Sequence, residues 1–275
     1  MAGWDANLIF DAGAHQGEDT EFYLRKGFRV VAIEASPRLA SGLEQRFAAE
    51  IASGQLVVVQ AAITERNGRV NFFENTRTSV WGTTRPEWAE RNSRVGAPSR
   101  CIEVEGVTFE TLLHRFGVPY YLKVDIEGSD MLCLEALRGF AAKPRYVSFE
   151  STKTSWKELL AEFDLLRSLG YHRYKVVPQH TVEAQVPASP AREGQFVEHR
   201  FPAGASGQFG AEAPGEWVDR ARALAICYPI FMLYALFGDD GLTTKHPALK
   251  AELARYFPPP APAMVGWYDT HASLD

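Results

Sequence analysis

Residues 123–128 read Lys-Val-Asp-Ile-Glu-Gly and close an apolar run, Tyr120-Tyr121-Leu122. While the chain stays extended, alternation puts Lys123, Asp125 and Glu127 on one side and Val124 and Ile126 on the other. Three charges at the end of a buried strand are costly unless they pair or serve chemistry. Asp125 is the first candidate for a general base, a metal ligand or a group that orients an acceptor. Glu127 is the second, with a loop amide or a helix N-terminus as its other partner, and Lys123 neutralises the acids. Glu150, ending a later apolar run, would complete an oxygen set suited to Mg²⁺, but the residues alone assign no metal. His15 and His271 are the remaining candidate bases. Asp269-x-His271 follows Trp267 and Tyr268, which predicts an aromatic C-terminal segment folded over the pocket and contributing His271. A structural ion-pair network is the competing account of these charges.

A second constellation opens the chain. Leu8, Ile9 and Phe10 form a short apolar strand that ends in Asp11, Gly13 and, four residues on, Gly17. Glycine allows a sharp turn and lets a ligand lie against bare backbone. The helical spacing that follows makes this a strand-to-helix turn at the carboxyl edge of a sheet, where open α/β sheets bind ligands. A pyrophosphate would want G-x-G-x-x-G, and the spacing here is D-x-G-x-x-x-G. Asp11, Glu18 and Asp19 would repel a pyrophosphate. They suit an ammonium, such as the amino-acid end of S-adenosyl-L-methionine. Gly13, His15, Gly17, Asp19 and Thr20 are accordingly cofactor-binding candidates. The next strand, Arg29 to Ile33, ends at Glu34, placed to bond both hydroxyls of a ribose. Ala35 and Ser36 follow, and Ser36-Pro37 is a helix start with Ser as N-cap. Ala62, beside Ile63, is small and apolar enough for an adenine face.

DAGAHQGEDT, then VVAIEASP, then YYLKVDIEGSD at 120–130 resemble the FkbM-type S-adenosylmethionine-dependent methyltransferases. RYVSFE at 145–150, LGYHRYKVVPQ at 169–179, SGQFG at 206–210 and GWYDTHA at 266–272 extend the likeness over nearly the whole chain. His15 stands where Asn is common in that family. The resemblance implies a Rossmann-like class I methyltransferase fold and transfer of a methyl group. The acceptor it implies is a hydroxyl on a small metabolite or glycan, with N-methylation the nearest variant. Two other functions compete: a nicotinamide-dependent oxidoreductase on a similar sheet, against which the missing glycines count, and a non-catalytic domain that binds S-adenosylmethionine.

The elements that must position these residues alternate. Strands are predicted near 8–11, 29–34, 56–61, 120–125, 145–150 and 171–177, and helices near 18–26, 37–52, 108–116, 129–140 and 155–169. This predicts an α/β fold with a mostly parallel sheet covered on both faces. Val70 to Glu74 reads as an edge strand after an Asn67-Gly68 turn, and residues 75–100 as an irregular loop long enough to serve as a lid. The predicted division is a cofactor-binding core over 1–178 and a loop-rich, helical C-terminal extension over 179–275, packed on the core. Within that extension Pro258, Pro259 and Pro260 read as a stiff spacer.

The 275 residues carry a net charge of −5 and no clustered Lys and Arg, which counts against nucleic acid as a partner. Cys101, Cys133 and Cys227 lie far apart without metal spacing, as core thiols of a reducing, cytoplasmic compartment would. No secretory signal is read, since the chain enters its first strand almost at once. Ala223 to Phe237 is apolar but short of the roughly 20 residues of a spanning helix, and Pro229 interrupts it. No transmembrane segment is therefore expected. A buried cap helix is predicted there, with a membrane-surface or homodimer contact as the alternative.

Overall fold

The computed structural model describes residues 3–238, 241–256 and 266–275. The predicted Pro258–Pro260 spacer lies outside the described residues. Strand β1 (Asp5–Ala12) is buried on both faces from Leu8 onward, the mark of a central strand in a covered parallel sheet. Helix α1 (Glu18–Arg25) carries Glu18, Asp19 and Glu21 in its first turn and Arg25 in its last, charges that suit the helix dipole. Strand β2 (Arg29–Glu34) follows. Helix α2 (Pro37–Arg46) is capped by the Ser36 hydroxyl, as expected. The helix predicted to reach residue 52 breaks at Phe47, whose backbone leaves the helical region, and resumes as α3 (Ala48–Ala52). Strand β3 (Leu56–Gln60) completes the first half of the sheet.

The chain then leaves the sheet to build an insert. Strands β4 (Ala62–Ile63) and β5 (Gly68–Asn75), helix α4 (Pro86–Arg94) and strand β6 (Ser99–Val107) form it, with strand order β4-β6-β5. The predicted edge strand is β5, paired antiparallel with β6 from Gly68↔Gly106 to Asn75↔Ser99. Residues 75–100 are therefore more ordered than a loop. They hold a short 3-10 turn at Ser79–Trp81, all of α4 and the start of β6.

Alternation resumes with α5 (Phe109–Phe116), β7 (Pro119–Val124), α6 (Asp130–Ala136), β8 (Tyr146–Glu150), α7 (Trp156–Ser168) and β9 (Arg173–Pro178). Beyond a loop-rich stretch come α8 (Arg220–Phe237), α9 (Leu242–Lys245), α10 (Pro247–Tyr256) and β10 (Tyr268–Ser273). The seven-stranded sheet has the order β3-β2-β1-β7-β8-β10-β9, with only β10 antiparallel to its neighbours. This is the Rossmann-like α/β arrangement expected.

Two expectations for the C-terminal part are corrected. The segment read as a strap over the pocket is β10, an inner strand buried along its whole length between β8 and β9. It lies inside 179–275, so the extension and the core share one sheet. The apolar run is a helix, but only one side of it is covered. Ala223, Cys227 and Tyr234 are buried, while Ile226, Tyr228 and Met232 are exposed. Pro229 sits inside α8 without ending it.

One apolar cluster fills each face of the sheet. On the face of Ile9 and Tyr121, Phe209 from the extension stacks on the Tyr121 ring at 4.7 Å and meets Tyr23 and Phe28 edge-on. A fully buried Phe contributes roughly 1.5–3 kcal/mol. The extension is also tied down by charge: Lys26 pairs with Glu212 at 2.9 Å, both side chains buried.

Candidate functional site

The carboxyl ends of β1, β2, β3 and β7 open into a cleft with about 870 Å³ of empty space, counted out to its open mouth. The insert forms its opposite wall through Phe72, Glu74, Ser79 and Val80. Of the residues singled out in the sequence, the structure brings Gly13, His15, Asp19, Glu34, Ala35, Ser36, Ala62, Asp125 and Glu127 to this one cavity.

Glu34 organises the wall. Its Oε2 accepts from the His15 amide at 2.9 Å and its Oε1 from the Ser36 amide at 2.8 Å, so one carboxylate holds the loops after β1 and β2. Burial raises its pKa, and the Ser36 and His15 amides oppose the rise. His15 adopts a left-handed backbone (φ 49°), a region where His and Asn are both enriched. Its ring lies 2.9 Å from Glu18 Oε1 and 2.8 Å from Ser79 Oγ, which links the first loop to the insert.

Asp11, Gly17 and Thr20 do not line the cleft, which corrects their expected placement. Asp11 is fully buried, accepts a 2.6 Å bond from the Thr20 hydroxyl and pairs with Lys123 at 3.2 Å. The glycines also work differently from the expectation of bare backbone for a ligand. A Cβ on Gly13 would stand 1.8 Å from the Asp125 carbonyl oxygen, and one on Gly17 would stand 2.5 Å from the Phe47 ring. Gly13 thus lets the β1 loop press against the β7 loop, and Gly17 seats α1 on α2.

At the cleft wall Lys123 joins several acids. Its Nζ lies 3.2 Å from Asp11, 3.5 Å from Asp19 and 3.8 Å from Asp125. Burial works against the ammonium, but Asp11, Asp125 and Asp19 hold its pKa well above the ordinary value. Burial pushes Asp19 up to about 6, against the pull of Lys123 and of the Ser206 and Gly207 amides that it accepts. The SGQFG segment is thereby fastened to α1.

The strand alternation expected through residue 127 stops at Val124, where β7 ends. Ile126 consequently reaches the cleft wall, and Glu127 takes a left-handed backbone (φ 50°). The Asp125 side chain is 44% exposed at the cleft. Glu127 is pushed well above the carboxylate range by burial and then by Glu150, Asp125 and Asp130. Burial raises Glu150 to about 7, opposed by Lys153, whose Nζ is 3.0 Å away.

His271, expected at the pocket, is not there. It is 2% exposed, in register between Ser148 and Lys175, and its Nε2 has no hydrogen-bond partner among the described residues. Burial, followed by the Lys175 charge, pushes it down to about 3, so it is a neutral core imidazole. Its neighbour Asp269 is the member of that segment near the site. It lies opposite Glu150, and burial, then Asp125 and Glu150, push it well above the usual range.

Sequence reasoning named Asp269 only beside His271, and it anticipated none of three further contacts. Lys153 rests over the Trp267 ring, 3.5 Å from its centroid. Thr83 donates to the Glu127 carbonyl at 2.8 Å. The Trp88 indole occupies the space a Cβ on Gly128 would need, with Nε1 at 2.7 Å. The Lys153-Thr154-Ser155-Trp156 stretch offered no periodicity to mark it. The pair Glu127-Gly128 beside an aromatic insert was a legible sign of close backbone approach.

The model of the methyltransferase FkbM domain matches residues 11–173, well over half of the chain. No curated protein matches it. Among solved structures, precorrin-6Y C5,15-methyltransferase from Geobacter metallireducens is 12% identical, with 63% of this chain and 68% of that one aligned and a TM-score of 0.36. The C-terminal domain of the Rhodobacter capsulatus precorrin-6Y C5,15-methyltransferase gives 12%, 62%, 66% and 0.37. A Burkholderia thailandensis 1,6-didemethyltoxoflavin-N1-methyltransferase, solved with S-adenosylhomocysteine, gives 15%, 62%, 64% and 0.32.

Proposed function

Because this chain belongs to the methyltransferase FkbM domain family, we propose that it moves a methyl group from S-adenosylmethionine to a hydroxyl of a small metabolite or sugar. The observation that carries this reading is Glu34. It ends β2, is 7% exposed, and faces the cavity that Gly13, Asp19, Ala62 and Asp125 share.

The donor set fits the cofactor. Glu34 keeps lone pairs free for ribose hydroxyls beyond its two amide bonds. Ala62, Ile63 and Phe72 offer an apolar wall for adenine, and Asp19 offers negative charge to an ammonium. When bound, S-adenosylmethionine supplies an electrophilic methyl on a sulfonium. The chain's own task is then to hold the acceptor oxygen in line with that methyl, and such orientation can lower a barrier by about 7–11 kcal/mol. As the O–C bond forms and the S–C bond breaks, the hydroxyl proton needs an acceptor. Of the carboxylates on the cleft wall we assign that role to Asp125, whose side chain is 44% exposed there.

The test is formation of S-adenosylhomocysteine when the protein is incubated with S-adenosylmethionine and a panel of sugars and hydroxylated metabolites. Acceptor-dependent product that falls in Asp125→Asn supports the reading. Reduced or oxidised nicotinamide bound in place of S-adenosylhomocysteine would overturn it.

A further inference from the structure

The inner end of the cleft gathers more carboxyl groups than cations. Asp125, Glu127 and Glu150 each offer a carboxylate oxygen, and those oxygens lie within 4.8 Å of one another. Lys153 pairs with Glu150 at 3.0 Å. Lys123 is nearer Asp11 and Asp19 than Asp125. Arg91 acts on Glu127 from α4.

A separate element adds a further acid. Asp269 on β10 is 7% exposed; among the described residues no hydrogen bond or ion pair reaches its side chain, and Lys123 and Lys153 act on it only from farther away. It stands directly opposite Glu150 in the β8–β10 register, so the two side chains leave the sheet on the same face. Asp125 and Glu150 are the charges that act on it most strongly. A carboxyl buried to this degree gives up its charge or meets a cation, and a cation completing the site would let it ionise.

We propose that Asp125, Glu127 and Glu150 bind one divalent cation of the Mg²⁺ or Mn²⁺ class, with Asp269 supplying compensating charge behind Glu150. Hard cations of this kind take carboxylate oxygens and keep several waters. The ligands are held by backbone as well as by side chains. Gly13 is packed on the Asp125 carbonyl, Thr83 holds the Glu127 carbonyl, and Glu150 ends a central strand. Asp125 and Glu127 line the cleft and Glu150 does not, so the ion would face the cavity and offer an exchangeable water position to an acceptor oxygen. That role rests on the methyl-transfer reading; binding of the ion does not.

The experiment is titration of the full chain, stripped with a chelator, with Mn²⁺ in the absence of cofactor, following loss of the free-ion electron paramagnetic resonance signal. One Mn²⁺ per chain, displaced by Mg²⁺, is expected. Glu127→Gln and Glu150→Gln should each weaken binding by roughly tenfold or more. S-adenosylhomocysteine calorimetry on the same samples reports a folded cleft separately, so loss of the metal and loss of the cofactor are told apart. No saturable binding by wild type up to about millimolar Mn²⁺ would overturn the proposal. So would equal Mn²⁺ binding by wild type and the Glu127→Gln/Glu150→Gln double variant.

Discussion

Glu34 joins two demands at one position. It faces the cleft, where the proposed cofactor's ribose would lie, and it ties the loops after β1 and β2 to each other through the His15 and Ser36 amides. Its type and place were readable because an acid ending the second strand has a known use. The roles of Asp11 and His271 were not readable, because burial is a property of the neighbours. Asp11 points behind the loop to Thr20 and Lys123, and His271 lies between two strands distant in sequence. The buried acids also set a pH dependence. Burial pushes Glu162 from 4.5 up to about 8, with Asp130, Glu158 and Glu150 adding to the rise and the Thr152 amide opposing it. The folded state therefore keeps that proton where the unfolded state has lost it. The contribution is fully present below 4.5 and is lost as pH rises through about 8. Glu162→Gln should gain stability relative to wild type as pH rises from about 5 to about 8, measured by urea unfolding at each pH. A stability difference that does not change with pH would contradict this assignment.

At the scale of elements, β10 decides whether the C-terminus is a lid or part of the scaffold. It pairs with β8 on one side and β9 on the other through every residue from Asp269 to Ser273. A chain ending at Trp267 should lose its cooperative unfolding transition, because β9 then has no strand to join it to the sheet. Circular dichroism melts check this, and a truncated chain that melts cooperatively and binds S-adenosylhomocysteine would show a strap instead. The sequence Tyr-Asp-Thr-His-Ala-Ser lacks the Val and Ile that marked the other strands, which hid it. The parallel strands were legible because each is an apolar run closed by a polar residue. The insert was only half legible. β5 announced itself through Asn67-Gly68, but β6 alternates charges with Ile102, Val104 and Gly106, and α4 is largely polar.

At the scale of the whole molecule, the sheet order brings loops from β1, β2, β3 and β7 to one edge, and the insert closes the other side. Local pattern could anticipate the sheet, but not that residues 72–84 would face Glu34 across a cavity. That placement follows from the pairing of β5 with β6 and from the Thr83 contact with Glu127. The extension is coupled to the same edge, since Asp19 lines the cleft and also accepts the Ser206 and Gly207 amides. Under the proposed methyl transfer these features serve one ligand, and calorimetry of S-adenosylhomocysteine binding to wild type and Glu34→Gln tests this most directly. Wild type should bind one equivalent, and the variant should lose about 1.5–3 kcal/mol, roughly ten- to hundredfold in affinity, as expected for hydrogen bonds to a charged group. No heat of binding with wild type, or equal affinity in the two proteins, would contradict the account.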